Sequence, residues 1–238
     1  MDRIITVGSG SSGNCYIIEC QGKKIIIDLG IRFSRVLNAL NHDVSNISCA
    51  IVSHEHLDHA KYIPECSKYG IPIYANERVC EKFEQCKQLN VGHVLKVDGF
   101  TIMTFGLIHD VPNNAFVIKT NNGIKILFCT DTKRIPMIVK DVNYAIIECN
   151  YSEEILLENA LKGNANRSHY FNHQELKECI NYLSKIKSNC LRGVILTHIS
   201  QGNGDGKLFV NRVVEELGLY NVEYAQSGLE MPIGTDDF

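Results

Sequence analysis

The sequence predicts an α/β fold in which two β-sheets pack together with helices on the outside. Short apolar runs rich in β-branched residues alternate with segments of helical period along the chain. Gln21-Gly22 and Asn121-Asn122-Gly123 read as hairpin turns between such runs, because Asn and Gly tolerate positive φ. No stretch reads as a linker, a low-complexity tract or a short-period repeat, so residues 1–238 are expected to form a single domain.

Strands are expected at Ile4–Val7, Cys15–Cys20, Lys24–Asp28, Cys49–Ser53, Ile71–Ala75, His93–Val97, Thr101–Phe105, Ala115–Thr120, Lys125–Thr130, Tyr144–Glu148, Gly193–Thr197 and Val222–Ala225. Helices are expected at Phe33–Leu40, Lys61–Tyr69, Asn76–Gln88, Glu153–Leu161, His173–Lys185 and Lys207–Leu217. The Gly202-Asn203-Gly204-Asp205-Gly206 cluster matches no P-loop and reads as a flexible lead-in to the last helix.

Composition narrows the class. The chain is 45% hydrophobic and 21% charged, near the averages for a globular protein. A formal net charge of −3 supplies no field to coat nucleic acid or an anionic membrane, although local metal charge can still meet a phosphate. No apolar run approaches the roughly 18–20 residues that span a bilayer. The first residues lack the basic-then-apolar pattern of a signal peptide. Ten cysteines are scattered without a C-x-x-C pair, which predicts reduced, mostly buried thiols and a cytoplasmic location.

The chemistry concentrates in His54-Glu55-His56-Leu57-Asp58-His59, directly after the apolar run Ala50-Ile51-Val52. A strand end presents alternate side chains on one face, so His54 and His56 can reach one ion together. A turn into a helix then lets Asp58 and His59 face a second position. Imidazole and carboxylate ligands suit zinc, and also manganese or iron. Three further polar residues each end a strand-like run: His109 after Phe105–Ile108, Asp131 after Ile126–Thr130, and His198 after Val194–Thr197. Singly, each is an ordinary strand-terminal residue. With the histidine-rich segment they make up seven ligands, enough for two divalent ions.

The order Asp28, His54-x-His56-x-Asp58-His59, His109, Asp131, His198 resembles the metallo-β-lactamase superfamily over nearly the whole chain. That resemblance implies a four-layer αββα sandwich. It implies one ion held by His54, His56 and His109, and a second held by Asp58, His59 and His198, with Asp131 bridging. Asp28 is then an outer residue that orients loop and ligands. The implied chemistry is hydrolysis by a metal-bridging hydroxide, with Asp58 and Asp131 orienting the nucleophile.

Several features narrow the substrate. His56 stands where flavo-diiron members carry an acid, which argues against oxygen reduction. Asp131 is a bridging carboxylate that zinc β-lactamases lack at that position. The short stretch after His198 argues against the helical substrate domain of glyoxalase II-type thioester hydrolases. The interval between Asp131 and His198 leaves no room for a β-CASP domain, and no long tRNA-gripping arm is evident.

Gly8-Ser9-Gly10-Ser11-Ser12-Gly13-Asn14, His109-Asp110, Thr130-Asp131-Thr132 and Leu196-Thr197-His198-Ile199-Ser200 resemble the YycJ/WalJ-like branch. Its Ser/Gly loop is either a phosphate-holding loop, with Ser12 and Asn14 binding substrate, or a tight turn between strands. Ser168-His169-Tyr170-Phe171-Asn172-His173 looks like a diverged Gly-His-Leu-Ser-Asn segment of that branch. On that alignment His169 and Asn172 are substrate-binding, and His169 is catalytic, holding the phosphate or protonating the leaving oxygen. Otherwise Asn172 simply caps a helix. The His-Asp pair that relatives carry after Glu148-Cys149-Asn150 is replaced by Tyr151-Ser152.

The expected function is a dinuclear phosphodiesterase acting on nucleic acid, most of all DNA, with a homodimer as a further expectation. The alternative is a phosphodiesterase for small cyclic nucleotides of the anti-Pycsar kind, with Tyr151, Tyr170 and Phe171 as stacking candidates. A non-catalytic metal-binding module is the remaining class.

Overall fold

The computed structural model describes residues 2–163 and 172–234. The chain forms two compact units, one of residues 1–106, 111–124 and 226–238, the other of residues 107–110 and 125–225.

The first unit is built on a seven-stranded sheet. Its strands are β1 (Arg3–Gly8), β2 (Cys15–Cys20), β3 (Lys23–Ile27), β4 (Ile47–Val52), β5 (Ile73–Ala75), β6 (Cys86–Gln88) and β14 (Leu229–Pro232), in the order β14-β1-β2-β3-β4-β5-β6. The β14, β1, β2 and β3 neighbours are antiparallel, and β3 to β6 run parallel. Gln21 and Gly22, at φ 50° and 72°, close the two-residue β2–β3 hairpin where the Gln-Gly signal places it. Val94–Val97, Phe100–Gly106 and Asn114–Thr120 form a further antiparallel trio, β7 to β9.

Register explains the core. Ile5 faces Ile17, Ile17 faces Ile26, Ile26 faces Ala50 and Ala50 faces Ile73, giving one apolar row across the sheet. Helices α1 (Phe33–Ala39), α3 (Ile63–Ser67) and α4 (Glu77–Lys82) bury Phe33, Val36, Ile63, Cys66 and Val79 in the same cluster. The alternate row, Ile4, Ile18, Ile25 and Cys49, is equally buried. A sheet buried on both faces reads as continuous apolar runs, which is why these strands were legible.

The second unit holds four parallel strands, β10 (Lys125–Cys129), β11 (Tyr144–Glu148), β12 (Gly193–Thr197) and β13 (Val222–Tyr224). Helix Leu176–Ile186 buries Leu176, Cys179, Ile180, Leu183 and Ile186 along one stripe at helical spacing. Helix Gly206–Leu217 is capped by the Asp205 carboxylate, which accepts from the Leu208 N–H at 3.0 Å. Its Phe209, Val213 and Leu217 are buried where it packs against β12 and β13.

Three expected elements change. The expected helix Asn76–Gln88 stops at Lys82, and Cys86–Gln88 instead pairs with β5. Parallel pairing there outweighs the local helical period. The expected helix Lys61–Tyr69 is preceded by a short turn α2 (Leu57–Ala60) and resumes as α3, with Pro64 in its first turn, where a missing N–H costs nothing. The expected His173–Lys185 helix starts at Leu176, capped by Glu175, which frees His173 for another role.

All ten cysteines are free thiols, and seven are buried. Burial pushes the Cys49 and Cys66 thiols up to about 12. No helix among the described residues is long and apolar enough to cross a membrane.

Phe209 is fully buried under helix Gly206–Leu217. Phe209→Ala is expected to cost about 3–5 kcal/mol, from lost burial and the cavity left behind. Urea denaturation followed by circular dichroism would read this, and an unchanged midpoint would contradict the packing described.

Candidate metal centre

In the first unit the site begins with a buried carboxylate. Asp28 follows β3 at φ 62° and is fully buried. Its Oδ1 accepts from the Ser53 N–H at 2.8 Å, and its Oδ2 from the Ser53 hydroxyl at 3.1 Å. Oδ2 also lies 2.7 Å from His59 Nδ1. Ser53 Oγ in turn lies 3.0 Å from His54 Nδ1. Both imidazoles are thereby fixed through Nδ1, which makes Nε2 the nitrogen for a ligand.

The segment expected to carry the ligands comes together. The His54 ring lies 4.8 Å from that of His56 and 4.1 Å from that of His59. His59 Nε2 is 3.6 Å from Asp58 Oδ2. Glu55, between the histidines, is turned to Lys82 at 3.1 Å and Arg78 at 3.6 Å on α4.

The Ser/Gly loop supports this segment from beneath. Asn14 is fully buried, and its side chain accepts from the Gly10 N–H at 2.8 Å and donates to the Gly10 carbonyl at 3.1 Å. The same amide nitrogen lies 2.9 Å from His59 Nε2. Backbone bonds run from Asn14 N–H to the Asp58 carbonyl at 2.7 Å and from Leu29 N–H to the His59 carbonyl at 2.6 Å. Asn14 is thus part of the internal scaffold of the ligand segment, whereas Ser12 is exposed at the tip of the loop. A Cβ on Gly30 would fall 1.6 Å from the Asp58 carbonyl oxygen, so glycine is required for this close approach.

In the second unit the polar groups collect at the carboxyl ends of adjacent parallel strands, where open α/β sheets place ligands. Asp131 follows β10 at φ 52°, Glu148 ends β11, and His198 follows β12 at φ 54°. His198 Nδ1 is 3.1 Å from Asp131 Oδ1 and 3.3 Å from Glu148 Oε1. His173 Nδ1 is 2.6 Å from Glu148 Oε1 and 3.4 Å from Asp131 Oδ1. The His173 and His198 rings stack at 5.1 Å, and the His109 ring lies 6.0 Å from His173. Asn150 donates to the His198 carbonyl at 2.5 Å.

Electrostatics couple these groups. Burial favours a neutral Glu148 carboxyl, but the imidazoles of His173 and His198 outweigh it and hold Glu148 below its usual range. Burial likewise disfavours a charged His173, and the adjacent carboxylates of Glu148 and Asp131 outweigh that too, raising it.

Donor chemistry tests the fit to a metal. Asp131, Glu148, His173 and His198 present ligand atoms within 4.8 Å of one another, two imidazoles and two carboxylates. In the first unit three imidazoles and a carboxylate are grouped, with outer partners that fix the tautomer. Nitrogen and oxygen donors of this kind are compatible with divalent zinc, manganese or iron.

Glu148, Asn150 and His173 were not singled out from the sequence. Glu148 carries the same signal as Asp131 and His198, a polar residue closing an apolar run. His173 had no such signal, because Asn-His-Gln-Glu reads as a helix start. Asn172 is partly buried beside it. His169, Tyr170 and Phe171 lie outside the described residues.

Two substitutions test this framework. Asp28→Asn removes the charge facing His59 Nδ1 and is expected to weaken divalent-metal affinity about 10–100-fold. Competition against a chromophoric chelator measures this, and wild-type affinity would contradict the orienting role. Gly30→Ala forces the Asp58 carbonyl away and is expected to lose at least about 1–3 kcal/mol of stability, read as a lowered thermal midpoint.

Comparison with known proteins places these features. Residues 4–69 match the family model described as Anti-Pycsar protein Apyc1. Exodeoxyribonuclease YycJ of Bacillus anthracis is 29% identical over 168 residues, covering 63% of this chain and 63% of that protein. Exodeoxyribonuclease WalJ of Streptococcus pneumoniae serotype 2 (strain D39 / NCTC 7466) is 28% identical over 169 residues, again covering 63% of each. The chain thus spans 63% of the length of these curated relatives. Among solved structures, the metallo-β-lactamase fold protein YhfI from Bacillus subtilis matches with a TM-score of 0.77 at 17% identity, covering 97% of this chain and 98% of YhfI. A diphosphatase of the PhnP family matches with a TM-score of 0.69 at 15% identity, covering 98% of each. The chain has the αββα metallo-β-lactamase fold, and its sequence resembles the YycJ/WalJ-like branch of that superfamily.

Proposed function

We propose that the chain is a dinuclear metal-dependent phosphodiesterase that acts on DNA. The observation that carries this reading is the gathering of His54, His56, Asp58 and His59 on a segment braced by Asp28, in the ligand order of the superfamily. The exodeoxyribonuclease names of the relatives support the choice of DNA.

On this reading His54, His56 and His109 hold one ion, and Asp58, His59 and His198 hold the other, with Asp131 shared and zinc the first expectation. When bound, the ions supply Lewis acidity and a water acidic enough to attack near neutral pH. The remaining work falls to the chain. Asp28 and Ser53 keep His59 and His54 in the ligating tautomer. Asn150 anchors His198 through its carbonyl.

On this reading His173 is a proton donor beside the metals, and His169, for which that role was expected, lies outside the described residues. His173 Nδ1 is held by Glu148 at 2.6 Å, and the adjacent carboxylates of Glu148 and Asp131 raise its affinity for a proton. In its protonated form the imidazole gives its proton to the departing oxygen as the phosphodiester bond breaks.

The match of residues 4–69 to the Apyc1 model favours a second reading, a phosphodiesterase for a cyclic nucleotide. Hydrolysis of linear DNA, RNA and a cyclic-nucleotide panel at two salt concentrations separates the two. A polymer substrate loses affinity steeply as salt rises, whereas a single phosphate does not.

Asp131→Ala is expected to abolish turnover of a chromogenic phosphodiester, and undiminished activity would refute the site. His173→Ala is expected to lower kcat about 10²–10⁴-fold with metal content retained. Steady-state kinetics beside elemental analysis of the bound metal distinguish lost catalysis from lost ions.

A further inference from the structure

Beside His173 the second unit has an open cavity of about 340 Å³, lined by Lys133, Arg134, Tyr151, His173, Glu175 and Lys177, with Glu153 and Glu178 completing its wall. His173 belongs both to this wall and to the Asp131–Glu148–His198 cluster, so the cavity opens directly off the candidate centre.

Lys133 and Arg134 are exposed, and neither side chain is ion-paired among the described residues. The acids of the wall are differently placed. Glu175 is buried and accepts from the backbone N–H groups of Lys177 at 2.5 Å and Glu153 at 3.2 Å. Glu153 lies 3.9 Å from Lys177 Nζ. Glu178 is exposed and is the remaining acid of the wall, so the wall's cations with no ion pair among the described residues are Lys133 and Arg134.

Their backbone is held in place rather than loose. The Thr132 N–H donates to Glu148 Oε2 at 2.7 Å, and the Lys133 N–H to the Ile108 carbonyl at 3.0 Å. The Thr132 hydroxyl accepts from the Ile108 N–H at 3.1 Å and reaches the Arg134 carbonyl at 2.7 Å. Three residues of chain from Asp131 to Arg134 span at most roughly 10 Å, so both cations stay tied to the candidate ligand.

Resting on the phosphodiesterase reading, we infer that Lys133 and Arg134 form a subsite for a second phosphate, that of the nucleotide next to the scissile bond. A cyclic mononucleotide has one phosphate, which would sit at the candidate centre beside His173 and leave nothing for this cavity. A nucleic-acid strand supplies the adjoining phosphate on the far side of His173. Two cations presented on a braced loop recognise such a phosphate without reading sequence. The subsite thus commits the chain to strands over cyclic mononucleotides.

The test compares wild type, Lys133→Ala/Arg134→Ala and the charge-conserving Lys133→Arg/Arg134→Lys pair, each loaded with zinc or manganese. The substrates are a single-stranded DNA oligonucleotide, a 3′,5′-cyclic nucleotide and bis(p-nitrophenyl) phosphate, which has one phosphate. The alanine pair should raise KM for the oligonucleotide about tenfold or more. It should also flatten the log–log salt slope by about 0.7–1.4, the effect of one or two lost contacts to a single strand. Turnover of the one-phosphate diester should change less than about twofold, and the charge-conserving pair should behave nearly as wild type. An unchanged KM and salt slope on the oligonucleotide, or an equal loss on all substrates, overturns the subsite while leaving the phosphodiesterase reading standing. Wild-type protein that binds its ions yet cleaves none of the three overturns the phosphodiesterase reading itself.

Discussion

The first unit depends on how the buried carboxylate of Asp28 is satisfied. An ionised group with no solvent exposure is costly unless nearly every lone pair is used. The Ser53 N–H, the Ser53 hydroxyl and His59 Nδ1 use them. Meeting that requirement fixes the ends of β3 and β4 against each other and sets the tautomer of His59. The geometry of the His54–His59 segment is therefore a by-product of solvating one charge internally. Gly30 and Asn14 fit the same constraint, because the ligand segment packs so tightly on its support that a backbone carbonyl occupies the space of a side chain.

The second unit reaches the same result by another route. Its acids sit at the ends of parallel strands, where the backbone must turn sharply away. Asp131 and His198 make that turn in the left-handed region, which costs a non-glycine residue about a kilocalorie or more. Asp28 does the same in the first unit. Strain at three strand-terminal polar residues is tolerable because the flanking strands are buried and their positions overdetermined. In both units, carboxylates next to imidazoles fix the orientation of the rings.

Much of this was legible in the sequence, and the reasons are physical. The His54–His59 segment stands out because its donors are local, so spacing alone brings them together. Asp131 and His198, ordinary strand-terminal residues if taken singly, could be found because they complete a ligand set with the histidine-rich segment. Glu148 carries that signature too, and its burial shows that the signature extends further than it was applied. His173 was hidden because its contacts with Glu148 and Asp131 come from the positions of β10 and β11 rather than from its neighbours in sequence, which imitate a helix cap. The Ser/Gly loop was legible as a turn or a phosphate holder. The buried amide of Asn14, bonded at both edges to Gly10, reveals the internal bracing that neither reading contained. The strand β6 escaped notice because Cys86-Lys87-Gln88 acquires its conformation only by pairing with β5.

The antiparallel pairing of β1 with β14 has a consequence for how the first unit comes into being. Arg3 faces Pro232 and Thr6 faces Leu229, so residues far apart in sequence close one sheet. During synthesis β1 emerges long before β14, and more than 200 residues separate the two strands. Until then its outer edge shows unpaired N–H and C=O groups, a template for strands of other molecules. Contacts of such long sequence separation also slow folding. β14 therefore covers that edge only after the intervening strands have been made, and the cost of its late arrival is exposure to aggregation rather than loss of final stability.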